Sequence, residues 1–82
     1  MLSKNQIKFV KGYLFKQIAN AIYLSVKEVD FEIKKKLNID SISELDNEGY
    51  MELCIYCFKL GDELGLNLNF KDNEAEFIRD LL

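Results

Sequence analysis

The chain has 82 residues, of which 49% are hydrophobic and 30% charged, and its formal net charge is −3 at pH 7. This composition is typical of a packed globule and excludes a disordered chain, and no apolar run approaches the roughly 20 residues of a membrane span. The absence of proline and the scarcity of glycine favour helices, because both residues interrupt helical periodicity. We predict one all-α domain over residues 1–82, a compact arrangement of four or five helices, cytoplasmic and without a signal peptide.

Charge is divided unevenly along the sequence. Residues 1–36 contain eight lysines and three acids, a net charge of +5, whereas residues 37–82 contain three basic residues and eleven acids, a net charge of −8. This polarity is expected when one side of a protein faces nucleic acid and the other faces a protein or the solvent. It is also expected when two solvated helical surfaces merely differ in charge, and the sequence leaves both interpretations open.

The first predicted helix begins near Lys4. Ser3 and Gln6 have the spacing of a capping box, which marks a helix N-terminus. Gly12 lies inside the helical pattern, where it either permits close approach of another helix or ends this helix early. Apolar residues recur at intervals of three and four and form a stripe that we expect to be buried: Ile7, Val10, Leu14 and Ile18.

The next helix is predicted over residues 26–37, directly after a tight turn, and it is the second or the third helix depending on whether the first one breaks near Gly12. Ser25 and Glu28 form another capping box at its start, and Asn38 is a plausible stop. The lysines at 34–36 suit the negative end of the helix dipole, which explains them without any role in binding. Further capping boxes are predicted later in the chain: Ser41 with Glu44, around a short helical turn, and Asn73 with Glu76, before a short final helix.

The most apolar helix is predicted over residues 48–64, starting from Asp46 or Asn47 and closed by Gly65 as a left-handed cap. Apolar side chains occupy so much of its circumference that we expect it to be central to the core or shared across a dimer. Alternating apolar residues at 66–70 indicate an extended connector rather than a strand, because no second strand is present to pair with it.

Catalytic and metal-binding motifs are scarce. Histidine is absent, which removes the commonest general base and zinc ligand. Cys54 and Cys57 form a C-x-x-C motif in mid-helix, where we expect buried core thiols; half of a zinc site completed in a dimer, or a redox pair, is the alternative. We therefore predict a protein that is not an enzyme and has no cofactor, no metal and no small-molecule substrate.

Residues 17–37 resemble helix-turn-helix DNA-binding domains, in particular bacterial transcription-factor output domains and promoter-reading sigma-factor regions. The resemblance implies that Ala19 packs against a recognition helix opened by Ser25. It also implies a small core that includes three apolar residues: Leu24, Val29 and Ile33. The sequence departs from the family pattern at Tyr23, which replaces the turn glycine, and the outward positions of the second helix lack arginine, asparagine and glutamine.

A second resemblance covers residues 18–60, which look like the C-terminal helical module of phage antirepressors and related phage DNA-transaction proteins. The matching positions are Leu37, Ile39, Ile42, Leu45 and Tyr50. These are core positions, so the resemblance implies a fold rather than a site. Together with the small size and the Lys-, Asn- and Ile-rich composition, it indicates a phage or mobile-element protein.

The leading hypothesis is a non-enzymatic protein that contacts DNA through its basic N-terminal half, in gene regulation or another DNA transaction. Lysines give affinity for backbone phosphate without choosing a sequence. The predicted phosphate contacts are Lys4, Lys8, Lys11, Lys16, Lys27 and Lys34.

The alternative hypothesis is a protein-binding inhibitor of a host enzyme or defence complex, similar to an anti-CRISPR protein, that acts through its acidic C-terminal half. The residues predicted to contact such a partner are Glu44, Asp46, Glu48, Glu52, Tyr56, Asp62 and Glu63. A third possibility is a plain homodimerisation module that associates through Tyr50, Tyr56 and Phe58.

Overall fold

A computed structural model describes residues 1–68, and all regular secondary structure in that range is helical, as predicted. The elements are α1 (Lys4–Phe9), a π turn (Val10–Leu14), α2 (Phe15–Ile22), α3 (Val26–Leu37), a 3-10 turn (Ile42–Glu44) and α4 (Asn47–Glu63). Since α1, the π turn and α2 follow one another without a break, residues 4–22 form one continuous helix, called here the long helix. The predicted final helix after Asn73 lies outside the described residues, so the count of four or five helices stays a prediction.

Two of the predicted capping boxes start helices. The Gln6 N–H donates to Ser3 Oγ at 3.1 Å, and the Ser3 N–H donates to Gln6 Oε1 at 2.8 Å. Ser25 and Glu28 make the same reciprocal pair, at 3.1 and 3.2 Å. Each box pairs backbone donors that have no partner within the helix, and this fixes the starts of α1 and α3.

The third predicted capping box, Ser41 with Glu44, is wrong. The segment is a short 3-10 turn, in which the Glu44 N–H donates to the Ser41 carbonyl oxygen at 3.3 Å. The Ser41 hydroxyl makes no capping bond and lies 3.1 Å from Ser43 Oγ. The backbone carbonyl therefore accepts from the donor that the hydroxyl was expected to bind. The fourth predicted box, Asn73 with Glu76, lies outside the described residues.

The long helix passes through Gly12 as a π turn. The Phe15 N–H donates to the Val10 carbonyl, five residues back, so the turn holds one more residue than an α-helical turn. Residues five apart therefore lie above one another, and Val10 and Phe15 are both fully buried. The helix therefore neither ends nor breaks at Gly12. Nor does Gly12 permit a close approach among the described residues, because it is exposed and an added Cβ would meet only Lys8 of the same helix, at 3.7 Å.

The core lies between the long helix and α4, which both have several fully buried side chains. These are Val10, Leu14, Phe15 and Ile18 from the long helix, and Tyr50, Leu53, Cys54 and Cys57 from α4. Val29 and Ile33 of α3 complete the core from a third side. The prediction that the core is built on the helix around Cys54 is confirmed. Within residues 1–68, no helix combines the length and the apolar content needed to cross a bilayer.

Candidate nucleic-acid interface

The outer face of the long helix is basic and contains no acid. Residues 1–27 include five lysines and neither aspartate nor glutamate. Four of these lysines belong to the long helix, and all four are exposed to solvent: Lys4, Lys8, Lys11 and Lys16. These four lysines form the surface called here the lysine face.

The π turn keeps the lysine face in line along the helix. Lys11 and Lys16 are five residues apart and span the turn, so they are stacked on the outside as Val10 and Phe15 are stacked on the inside. In an uninterrupted α-helix a spacing of five would turn Lys16 away from Lys11. The extra residue of the π turn thus brings Val10 into line with Phe15 in the core and Lys11 into line with Lys16 on the surface.

Asp30 joins the lysine face to α3. Its carboxylate lies between two ammonium groups, with Lys11 Nζ 3.8 Å from Oδ2 and Lys34 Nζ 3.7 Å from Oδ1. Lys34 is one turn further along α3, whereas Lys11 belongs to the π turn. This three-residue cluster has a net charge of +1. It places the Lys34 side of α3 next to the lysine face.

The remaining predicted contact, Lys27, is exposed on the same side of α3. Lys27, Asp30 and Lys34 fall at positions i, i+3 and i+7, which lie on one face of a helix. All six predicted lysines therefore lie on the long helix or on the side of α3 beside it. Among residues 1–68, only Lys11 and Lys34 of this set form ion pairs.

The outer surface of α3 lacks the arginine, asparagine and glutamine side chains that commonly read base edges. Phe31, in the middle of this surface, is 61% exposed. The Glu28 carboxylate accepts a hydrogen bond from the Ser25 backbone within the capping box. Direct readout needs side chains such as Arg, Asn or Gln directed into the groove. No arginine, asparagine or glutamine of α3 is thus available for bidentate contacts with bases.

The helix-turn-helix resemblance stays a prediction, and the structure gives the burial of the individual positions that it names. Ala19, Val29 and Ile33 are buried as it implies. Tyr23, in place of the turn glycine, adopts the left-handed conformation at φ 61° and is 95% exposed. Leu24, however, is 38% exposed, so its expected place in the core is wrong. Its side chain lines an open groove instead.

The acidic residues of the alternative site form a stripe rather than a patch. Glu48 and Glu52 are one turn apart on the outer face of α4. Asp62 lies about 15 Å beyond Glu52, and the adjacent Glu63 is rotated by about 100° around the helix axis from Asp62. Lys59 interrupts the stripe. Glu44 and Asp46 precede the helix, and Asp46 Oδ1 accepts from the Gly49 N–H at 2.8 Å as the N-cap of α4. Tyr56 is half-buried.

The predicted dimer contacts are only partly accessible. Tyr50 is fully buried, so its assignment to a dimer surface is wrong. Tyr56 and Phe58 are half-buried against the core of the same chain. The aromatic residues of α4 therefore pack mainly within the molecule.

Cys54 and Cys57 are fully buried free thiols, as expected for core residues. Burial raises the pKa of the Cys54 thiol to about 12, although a hydrogen bond with the Tyr50 side chain lowers it. Burial, followed by the charge of Cys54, raises the pKa of Cys57. Both thiols are protonated at neutral pH and are weak nucleophiles and poor metal ligands. Among residues 1–68, no group of three or more Cys, Asp and Glu side chains could hold a metal ion.

The described residues define a small helical protein with a basic face. Comparisons with protein-family models, curated proteins and solved structures give no match to this chain. The case for a function therefore depends on the residues themselves.

Sequence reasoning missed two features of the site. The ion pair of Asp30 with Lys34 had a readable signal, since the two residues are four apart on one helix. The contact of Asp30 with Lys11 had none, because it depends on how α3 packs against the π turn.

Proposed function

We propose that this protein binds duplex DNA through the backbone phosphates. The observation that carries the proposal is the lysine face, where four exposed lysines share one side of a helix that contains no acid. Ammonium groups arranged in this way displace counterions from DNA, which makes binding favourable and dependent on salt. Lys27 and Lys34 extend the surface on α3.

The proposal includes the use of α2, Tyr23 and α3 as a helix-turn-helix-like pair. Its support is local: α2 ends at a left-handed residue, α3 opens at the Ser25 capping box, and Ala19 is buried. In this arrangement α3 rests on the DNA without reading bases, because its exposed centre is Phe31. Binding is therefore expected to show little sequence preference, as suits a role in a DNA transaction rather than in operator selection.

A titration of the whole protein into fluorescein-labelled duplex DNA tests the proposal by fluorescence anisotropy. Four phosphate contacts give a slope of about −4 in a plot of log K against log salt, so affinity falls roughly 10²-fold between about 50 and 200 mM salt. Two duplexes of unrelated sequence should bind within about threefold of each other. An absence of binding at the lower salt concentration would refute the proposal.

The acidic stripe on α4 supports a second candidate function, inhibition of a basic partner protein. The four carboxylates spread along the exposed side of α4 can present negative charge to a groove that normally holds nucleic acid. The same titration separates the two candidates. A protein that acts as a decoy fails to bind DNA and prevents a basic nucleic-acid-binding protein from doing so.

A further inference from the structure

The large apolar side chains that are exposed among residues 1–68 are concentrated around the turn between α2 and α3. Apart from Met1, they are Ile22, Tyr23, Leu24 and Phe31. Single exposed apolar residues are normal on a protein surface, whereas several of them close together in the chain indicate a binding surface. Tyr23 and Phe31 are the most exposed of the four, at 95% and 61%. The most accessible apolar groups of this region are thus aromatic rings.

Phe31 lies in an open concavity on the outer side of α3. The concavity has a volume of about 510 Å³, and Leu24 is the other apolar residue that lines it. An aromatic ring exposed in this way offers a flat apolar face, on which a nucleobase can stack. Stacking requires no hydrogen-bonding side chain, which agrees with the lack of arginine, asparagine and glutamine on α3.

The surroundings of Phe31 are mainly basic. Its neighbours on the helix surface are the residues three and four positions away. Three of these four neighbours are lysines: Lys27, Lys34 and Lys35. The fourth is Glu28, so the four together have a net charge of +2, which favours an anionic occupant over a cationic one.

The acids near Phe31 each have a positive group beside them. Oε1 of Glu28 accepts from the backbone N–H and the hydroxyl of Ser25, at 3.2 and 3.0 Å, and so stays at the N-terminus of α3. The Asp30 carboxylate lies between two ammonium groups. Glu32 also lines the neighbouring groove, together with two lysines one turn further along α3, Lys35 and Lys36. These positive groups reduce the repulsion between the acids and a phosphate.

Lys34 connects the surroundings of Phe31 with the lysine face. It lies one turn from Phe31 on α3, and its Nζ is 3.7 Å from Asp30 Oδ1. The other oxygen of Asp30 is 3.8 Å from Nζ of Lys11, which belongs to the lysine face. A strand that leaves a duplex on the lysine face can therefore pass from Lys11 to Lys34 and then reach Phe31.

We propose that the protein binds a DNA duplex with a single-stranded tail, and that an unpaired base of the tail stacks on Phe31 while the tail phosphates contact Lys27 and Lys34. This inference rests on the proposed function, because the lysine face holds the duplex part. It names the kind of DNA that the site takes, namely a junction between paired and unpaired strands.

Three DNAs that share one duplex test the proposal. The first has blunt ends, the second has a tail of about six unpaired thymidines, and the third has a tail of the same length made of abasic nucleotides. The two tails contain the same number of phosphates, so a difference between them comes from the bases. Fluorescence anisotropy at one salt concentration gives the affinities for the native protein, Phe31→Leu and Phe31→Trp. Leucine keeps an apolar side chain without a ring, and tryptophan keeps the ring.

The native protein should bind the thymidine tail about tenfold more tightly than the abasic tail, because only the first offers bases to stack. Phe31→Leu should reduce this difference to less than about twofold and leave the affinity for the blunt duplex unchanged, while Phe31→Trp should keep the difference.

Equal affinities for the two tails, with the blunt duplex still bound, would overturn this inference and leave the proposed function intact. A preference for the thymidine tail that survives in Phe31→Leu would also overturn it, since the base would then stack elsewhere. If none of the three DNAs binds, the proposed function fails and this inference fails with it.

Phe31→Trp also reports the contact directly, because the chain contains no tryptophan of its own. The thymidine tail should quench the tryptophan emission, and the abasic tail should quench it much less, because a stacked base touches the indole ring. An emission spectrum that changes with protein concentration before any DNA is added would overturn the proposal, since a second copy of the chain would then cover Phe31.

Discussion

The long helix and α4 have the same role inside the molecule and opposite characters outside it. Each supplies four fully buried side chains to one core. Outside, the long helix has lysines and no acid, whereas α4 has Glu48, Glu52, Asp62 and Glu63 with one lysine between them. The inner faces are constrained by packing, since every atom must fit its neighbours.

The outer faces are under no such constraint, because exposed side chains contribute little to folding. A run of 27 residues with five lysines and no acid is therefore not required by the fold. The contrast between the two helices thus indicates where to look for function, namely on the surface that folding leaves free.

The largest loss of stability is expected for substitutions in the core, to which the long helix and α4 contribute equally. Leu14→Ala and Leu53→Ala should each lower the free energy of unfolding by about 2–5 kcal/mol, because both residues are fully buried and truncation leaves a cavity. Urea denaturation measures the change, and Leu24→Ala, at a partly exposed position, is a control with a smaller loss. A loss under about 1 kcal/mol at either buried site would contradict the claim that both helices supply tightly packed side chains to one core.

The second largest loss of stability is expected at the N-caps, where the long helix and α4 differ. Asp46→Ala removes a carboxylate that accepts from the Gly49 N–H and also interacts with the helix dipole, so it should cost about 1–2 kcal/mol. Ser3→Ala removes a neutral cap and should cost about 1 kcal/mol or less. Ser41→Ala is the control and should cost nearly nothing, because this hydroxyl caps no helix. Thermal unfolding of the three variants tests the order.

Introducing glycine at the end of the long helix and removing it after α4 should change the stability of the protein in opposite directions. Tyr23 is left-handed and almost fully exposed, so Tyr23→Gly relieves backbone strain and should stabilise the protein by roughly 0.5–1 kcal/mol. Gly65→Ala places a Cβ on a left-handed residue and should destabilise by about 1 kcal/mol, although no atom lies within 4 Å of the added carbon. Changes of the same sign would show that packing, not backbone conformation, controls these positions.

The smallest effect on folding is expected at Asp30. Asp30→Asn removes the acid shared by Lys11 and Lys34, and since this partly exposed ion pair is long, the stability change should stay below about 1 kcal/mol. Affinity for duplex DNA should rise, because two ammonium groups become available to phosphate. Glu32→Gln makes the same charge change on α3 away from the two lysines and should raise affinity less. Equal gains would mean that only net charge matters.

The parts of this structure that follow from short-range rules could be predicted from the sequence. The starts of α1, α3 and α4 depend on one side chain and a donor three residues away. Ser3 and Ser25 cap as their spacing predicts, and Asp46, one of the two predicted starts of α4, is its N-cap. The capping prediction at Ser41 was wrong because a 3-10 turn gave the same N–H to a backbone carbonyl.

The parts that depend on packing could not be predicted. The π turn at Gly12 is fixed by the alignment of Val10 and Phe15 in the core. The contact between Lys11 and Asp30 joins residues of different helices. The spacing of Lys4, Lys8 and Lys11 thus already predicts one shared helical face, whereas the place of Lys16 depends on the π turn and required the structure.

The most direct test of the account compares the salt dependence of DNA binding in two charge-matched variants. Lys8→Gln with Lys16→Gln removes two charges from the lysine face, and Lys59→Gln with Lys36→Gln removes two elsewhere. The account predicts that the first pair weakens binding and reduces the slope of log K against log salt by about 2, while the second pair leaves the slope nearly unchanged. Equal slopes for the two variants would contradict the claim that the lysine face is the surface that binds DNA.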